Sequence, residues 1–271
     1  MSAGNAGSES VTPAEGAGSE PVAPAAGGGS ESVAPAADGG SEPAAVREDG
    51  PVPVANAQRA PRVPWVVGVS GASGTPYAAS VITGLLDAGL PVDLIVSRAA
   101  RLTLLDETGA GFRDAHWKDD LAAWLDRDLA TDDLAYWPAG DLAAGPSSGS
   151  YPTRGMVVVP ASTAACAGIA VGLSKDLLQR AAEVNLKERR PMVVVPRETP
   201  VSRSHLEHLI VLLDAGAVVL PASPGFYASG ARATGRQLVD FVAGKVLDAL
   251  GVPHSLFARW RGELGSGRAS A

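Results

Sequence analysis

The stretch VVGVSGASGTPYAAS, residues 66–80, sets Gly68, Gly71 and Gly74 at intervals of three with Ser70 and Ser73 between them. Glycines at that spacing after a β-branched run suit a tight bend out of a strand. The backbone N–H groups of a helix opening behind the bend then point at an anion. A phosphate is the first ligand class this suggests. Later apolar runs end in the same character: Ser97 after the second, Ala161-Ser162-Thr163 after the third, Arg197-Glu198 after the fourth. Taken singly, each is explained by tight turns and helix N-caps. Together they describe one rim able to hold an anionic ligand.

The order of the glycines narrows the ligand. GxxGxxG is not the GxGxxG of a nicotinamide dinucleotide site, and the acid expected at the end of the second strand is replaced by Ser97, since Asp93 lies early in that run. No Gly-Lys-Ser/Thr follows the loop, so it is not a Walker phosphate loop, and neither Ser70 nor Ser73 fits the register of a Gly-x-Ser-x-Gly elbow. A mononucleotide such as FMN remains.

The elements that must position this rim follow from periodicity. Short β-branched runs predict strands over 65–70, 92–96, 156–159, 192–195 and 217–220. Amphipathic segments alternate with them. Pro76 suits a first helical turn, and Ala78, Val81, Ile82, Leu85 and Leu86 form one apolar stripe closed by Gly89. Further helices are expected over 99–107, 163–171, 176–187, 204–214 and 235–250. The alternation predicts an α/β fold, a Rossmann-like or flavodoxin-like parallel sheet with helices on both faces in a single domain, with its ligand beyond the carboxyl ends of the strands. Residues 110–150, Trp- and Asp-containing, show no period that assigns them an element.

The fold is expected over residues 63–264, flanked by disordered segments at 1–62 and 265–271. In the first, GSESV, GSEPV, GSESV and GSEPA recur between Ala, Pro and Gly tracts without apolar periodicity, so burial there cannot offset chain entropy. That segment also holds most of the charge. Residues 1–60 carry eight acids against Arg47 and Arg59, so of the net charge of −7 only about −1 falls on the rest. The remainder has no basic bias toward nucleic acid. One cysteine, Cys166, excludes an intrachain disulfide and suits a reducing compartment. The uncharged stretch 155–174 is long enough to span a bilayer, but Pro160, Ser162, Thr163 and several small residues interrupt it, so it reads as strand, loop and helix. With no basic and apolar leader at the N-terminus, a cytoplasmic protein that enters no membrane is expected.

In order along residues 65–262, GVSGASG, SRAA followed by ET, GMVVVPAST, RAAEVNLKERRPMVVVPRETP, GAVVLPASPGFY, LVDFVAGKVLDALG and ARWRG resemble the UbiX-type flavin prenyltransferases. These belong to the wider flavoprotein family that includes flavin-dependent cysteine decarboxylases. LKERRP with RETP, and PGFY, are the discriminating pieces. The resemblance implies a metal-independent enzyme that joins a dimethylallyl group from dimethylallyl phosphate to N5 and C6 of reduced FMN. It further implies a homododecamer with sites at subunit contacts and a UbiD-type decarboxylase as client.

Carried onto this sequence, the resemblance implies FMN contacts at Gly71, Ala72, Ser73, Ser97, Ser162, Thr163, Ala164, Ala165 and Arg197. Arg180, Lys187, Tyr227 and Lys245 are implied at the donor phosphate, and Trp260 as an aromatic closing the pocket over the prenyl group. Glu198 is implied as the proton acceptor, with Ser73 as a hydroxyl relay and Glu107 as a second glutamate. Displacing an allylic phosphate does require cations on the leaving group, close alignment and a dry pocket. Plainer accounts stand beside these: Lys187-Glu188-Arg189-Arg190 as a solvated helix end, Tyr227 and Trp260 as packing, Ser73 and Glu107 as caps.

Two departures stand out. Lys245 occupies a position where the family often has Arg, which keeps the charge and loses the bidentate fork. Ala161 stands where the family usually has Cys. His205 and His208 in HLEH have helical metal-pair spacing but no third ligand nearby, so a surface helix is expected there. The rival functions are a flavin-dependent cysteine decarboxylase, for which no suitable histidine lies between Gly74 and Val92, and a non-catalytic flavin-binding or delivery protein.

Overall fold

The structure, a computed structural model, describes residues 62–130, 133–228 and 232–260, all within one unit, Ala57–Ala271. The segments expected to be disordered, 1–62 but for Arg62, and 265–271, lie outside the described residues. Six parallel strands form the sheet: β1 Trp65–Val69, β2 Val92–Val96, β3 Leu134–Tyr136, β4 Gly155–Ala161, β5 Met192–Pro196 and β6 Val218–Val219. Their order is β3-β2-β1-β4-β5-β6, the doubly wound order in which the direction of strand addition reverses between β1 and β4. Strand β3 pairs with β2, Val92 against Leu134 to Leu94 against Tyr136, and extends the sheet by a strand the periodicity did not show.

Alternation along the strands feeds two cores. Trp65, Val67 and Val69 of β1 face helices α1 (Thr75–Asp87), α2 (Arg98–Thr108), α3 (Trp117–Leu125) and α7 (Gly235–Ala249). Val66, with Met156 and Val158 of β4, faces α4 (Thr163–Ala170), α5 (Leu177–Lys187) and α6 (Arg203–Asp214). Gly68 is not part of a bend. It lies inside β1, where a Cβ would sit 2.9 Å from Met156 Cε and 3.0 Å from Leu178 Cγ, so its role is to let α5 lie close on the sheet.

The region 110–150 contains α3, whose Leu121 and Trp124 are buried, and then β3. Its return, 144–153, is pinned to α5 and the turn after it: Arg180 Nε donates to Ser147 O (3.1 Å) and Arg190 Nη2 to Gly149 O (2.6 Å). At the other margin of the fold, buried Asp93 of β2 pairs with Arg62 (2.5 Å) and accepts from Tyr151 Oη (2.8 Å). Cys166 is buried in α4, and burial pushes its thiol up to about 12, leaving it inert. Among the described residues no helix is long and apolar enough to cross a membrane.

Candidate active site

Strand β4 contains Pro160, which lacks the N–H a central strand needs. The register shift between Val158 and Ala161 accommodates it and frees its carbonyl. Buried Ser70, at the end of β1, uses that freedom: its Oγ donates to Pro160 O (2.8 Å) and accepts from Ser162 N (2.7 Å). One hydroxyl thus locks the two strand ends on either side of the topological switch.

Beyond that lock lies a cavity of about 730 Å³, within the size range of cofactor sites. Gly71, Ser97, Ser162, Ala164 and Ala165 line it, which brings together most of the residues expected at a flavin. Ser97 Oγ caps α2 by accepting from Ala100 N (3.1 Å), and Ser162 Oγ caps α4 by accepting from Ala165 N (3.2 Å). Each hydroxyl proton is left for the cavity. A Cβ on Gly71 would meet Ala99 backbone carbon at 3.0 Å, so glycine lets the β1–α1 loop touch the start of α2. Ala72 is buried behind this loop and Thr163 opens α4 beside Ser162.

The cavity also has walls that sequence spacing did not single out: Arg98, Lys175, Gln179 and the Ala139-Gly140 backbone. Arg98 and Lys175 are its two cations. Only Arg98 had a local signal, as the residue after the Ser97 cap. The fit to a flavin mononucleotide is good in kind: small residues and apolar side chains such as Leu102 and Leu178 for a planar ring, hydroxyls and two cations for a phosphate.

The anion at the start of α1 is the protein's own. Glu107, near the end of α2, accepts from Gly74 N (2.8 Å), Thr75 N (2.8 Å) and Thr75 Oγ1 (2.6 Å). Burial would raise its carboxyl; hydrogen bonds from Ser73, Thr75 and Gly74 outweigh that and hold it below the usual carboxylate range. The donors expected to meet a phosphate at this helix N-terminus are therefore already taken by a side chain. Gly74, with φ 114°, is the true bend in the glycine series.

Arg197 follows β5, and its backbone N donates to Ala161 O (3.3 Å). Its Cγ lies 3.8 Å from where a Gly74 Cβ would stand, and its Nε is buried with no partner among the described residues. A buried guanidinium nitrogen without a partner is the signature of a missing acceptor. Glu198 next to it is exposed, its carboxylate accepting only its neighbour Thr199 N (3.0 Å) in the hydrogen bonds seen.

The residues expected at the donor phosphate are not gathered. Lys187, paired with Glu188, ends α5, about 12 Å along the helix from Gln179 at the cavity. Arg180 is tied to Ser147 and to Glu183 (2.8 Å). Tyr227 and Trp260 meet each other, ring centroids 6.0 Å apart, and Lys245 sits on α7 with Nζ 3.6 Å from Asp248. His205 departs from the surface helix expected of HLEH: it is buried, because it lies on the inner side of α6, and both ring nitrogens lack partners among the described residues.

Residues 53–247 match the flavoprotein family. The chain is 63% identical over 215 residues to the flavin prenyltransferase UbiX of Streptomyces coelicolor, covering 76% of this chain and 99% of that one. It is 37% identical over 194 residues to the enzyme of the same name from Pseudomonas aeruginosa, covering 71% and 91%. Its fold resembles a crystal structure of AnUbiX (PadA1) in complex with FMN and dimethylallyl pyrophosphate, with TM-score 0.66 and 33% identity over 75% of this chain and all of the other. A dodecameric FMN-dependent UbiX-like decarboxylase from Escherichia coli O157:H7 matches with TM-score 0.64 and 35% identity, over 74% of this chain and all of that one.

Proposed function

The chain belongs to the UbiX-type flavin prenyltransferases of the flavoprotein family, and from that premise we propose how its residues divide the work. The reaction joins a dimethylallyl group from dimethylallyl phosphate to N5 and C6 of reduced FMN, giving a prenylated flavin for a UbiD-type decarboxylase in the cytoplasm. Reduced FMN supplies the two nucleophilic ring positions. The observation that carries the reading is the cavity at the β1/β4 switch, where Ser97, Ser162, Arg98 and Lys175 converge on a space of mononucleotide size.

Ser97, Ser162 and the Gly71 loop hold the mononucleotide, with Ala72, Thr163, Ala164 and Ala165 shaping its walls. Arg197 offers its unpartnered Nε to the ring side of the site, where it stabilises negative charge. Ser73 and Glu107 act as a unit, the glutamate anchoring the loop that presents the serine hydroxyl. Glu198 accepts the proton lost on ring closure. Tyr227, Lys245 and Trp260 form the donor side in the same subunit.

Arg180 and Lys187 lie on α5, away from that side, so they serve the donor phosphate of a neighbouring subunit in a dodecamer. The dodecameric relative supports that assembly. The test is anaerobic incubation with reduced FMN and dimethylallyl phosphate, followed by mass analysis of the released flavin. A flavin heavier by one five-carbon unit is expected, and recovery of unmodified FMN with mono- and diphosphate donors alike overturns the reading.

A further inference from the structure

The segment after α7 doubles back along that helix, and its fixing point is a single carboxylate. Asp248, the last residue but one of α7, accepts from Arg259 Nη1 on Oδ2 (2.6 Å), and its Oδ1 lies 3.2 Å from His254 Nε2. Leu256 N donates to His254 Nδ1 (3.1 Å), and Arg259 Nη2 lies 3.1 Å from His254 Nε2, so the imidazole is held between the segment's backbone, its arginine and Asp248. Two residues of the returning segment thus converge on one side chain of the helix.

The helix is shaped for this return. A Cβ on Gly244 would lie 2.5 Å from both His254 Cε1 and Phe257 Cε1, so only glycine lets the segment lie flat there. Phe257 packs at a tilt against Phe241 (centroids 5.0 Å) under Arg259 (4.9 Å from the ring centre to Cζ). Phe241 in turn meets Tyr227 (5.6 Å), and Tyr227 meets Trp260 (6.0 Å). Trp260 itself is more than half exposed and among the described residues rests only on the Tyr227 ring, so its position depends on what holds Arg259.

The geometry points to Asp248 as a positioning residue of the prenyl-donor side: by clamping Arg259 and His254 it holds the C-terminal segment so that Trp260 stands over Tyr227. Lys245, 3.6 Å from the same carboxylate, is held by it as well, so one residue orders both the aromatic cover and a cation of the pocket. Asp248 does not line the flavin cavity and acts through the residues it holds. The inference rests on the placement of Tyr227 and Trp260 at the donor pocket.

The experiment uses the full-length protein and the variants Asp248→Ala, Arg259→Ala, the double variant, Trp260→Ala and Trp260→Phe. Asp248→Ala and Arg259→Ala are each expected to raise the KM for dimethylallyl phosphate about 10- to 100-fold, the range for misplacing a group by about an ångström. FMN affinity should stay unchanged. The double variant should be no worse than Asp248→Ala alone, because Arg259 reaches the helix through that carboxylate. In the flavin-free protein, acrylamide quenching of Trp260, isolated by difference against Trp260→Phe, should rise in both. An unchanged KM in Arg259→Ala, additive effects in the double variant, or a parallel loss of FMN affinity would overturn the clamp. Arg259→Ala removes the contact from the segment side and keeps the test decisive if Asp248→Ala does not fold. If Trp260→Ala leaves the donor KM unchanged, the pocket placement itself fails; if it raises KM while Asp248→Ala does not, the clamp alone fails.

Discussion

The flavin cavity and the donor side of this protein are built by opposite means. The cavity stands on strand ends that Ser70 cross-links, with small residues and capped helix starts close to the backbone. The proposed donor side depends on long side chains scattered over α5, α7 and the segments of Tyr227 and Trp260, and those two rings are more than half exposed. A planar ring is recognised by a rigid shape. A small anionic donor that must enter, react and leave as phosphate is met by charges that assemble around it. The division predicts that substitutions will separate cleanly into those that cost flavin affinity and those that cost donor use.

The largest expected effect falls between the two regions. Glu198→Gln preserves shape and removes the proton acceptor, so product formation should slow about 100- to 10,000-fold with FMN binding intact. A normal rate by anaerobic mass analysis would take this glutamate out of the mechanism. Next is Lys187→Ala, expected to raise donor KM about 10- to 100-fold through loss of one charge-assisted contact, again sparing FMN. Coexpressing Lys187→Ala with Glu198→Gln sharpens the comparison. If the donor site is shared between subunits, about a quarter of the sites in mixed assemblies regain both groups and activity returns. If every site is made by one chain, none does.

A change on the cavity side should show the reverse pattern. Gly71→Val forces a side chain into the start of α2, and overpacking of about 1–3 kcal/mol predicts FMN affinity down roughly tenfold with donor KM unchanged. Isothermal titration and steady-state kinetics on one preparation read both numbers.

Glu107 offers a smaller, pH-dependent effect. Its folded-state pKa is lowered, so its contribution to stability is fully present above the ordinary carboxyl value of about 4.3 and is lost as pH falls through the folded value. The melting difference between wild type and Glu107→Gln should therefore be largest near neutral pH and shrink on acidification. A difference that persists unchanged at the acid end would remove the helix cap from the account. Deleting residues 1–60 is the smallest expected effect: flavin binding and oligomer size should not change by titration and light scattering.

Much of this was legible from periodicity. Strands β1, β2, β4, β5 and β6 announce themselves as β-branched runs, and α1 as a Pro-started, Gly-ended apolar stripe. Strand β3 and helix α3 do not, because LAY is only three residues long and α3 buries a narrow face behind Trp- and Asp-rich text. Ser97 and Ser162 were readable as residues just past strand ends. Lys175, Gln179 and Gly140 were not, since they reach the cavity only through the strand order that puts β4 next to β1 and folds the 137–150 return over α5. Local spacing also misassigned the α1 start, where a glutamate 32 residues away occupies the anion position. The same limit hid His205, whose burial depends on what α6 packs against.

The sheet has one more property with a consequence outside the active site. Its two margins, β3 and β6, are three and two residues long. So short a row of unpaired backbone groups offers little template for strand addition, the route by which parallel β proteins coalesce into fibres. Helix α6 meanwhile exposes Leu206, Ile210 and Leu213 along one stripe. With strand margins this short and the apolar stripe on a helix, the surface favours helix-mediated contact over open-ended cross-β growth.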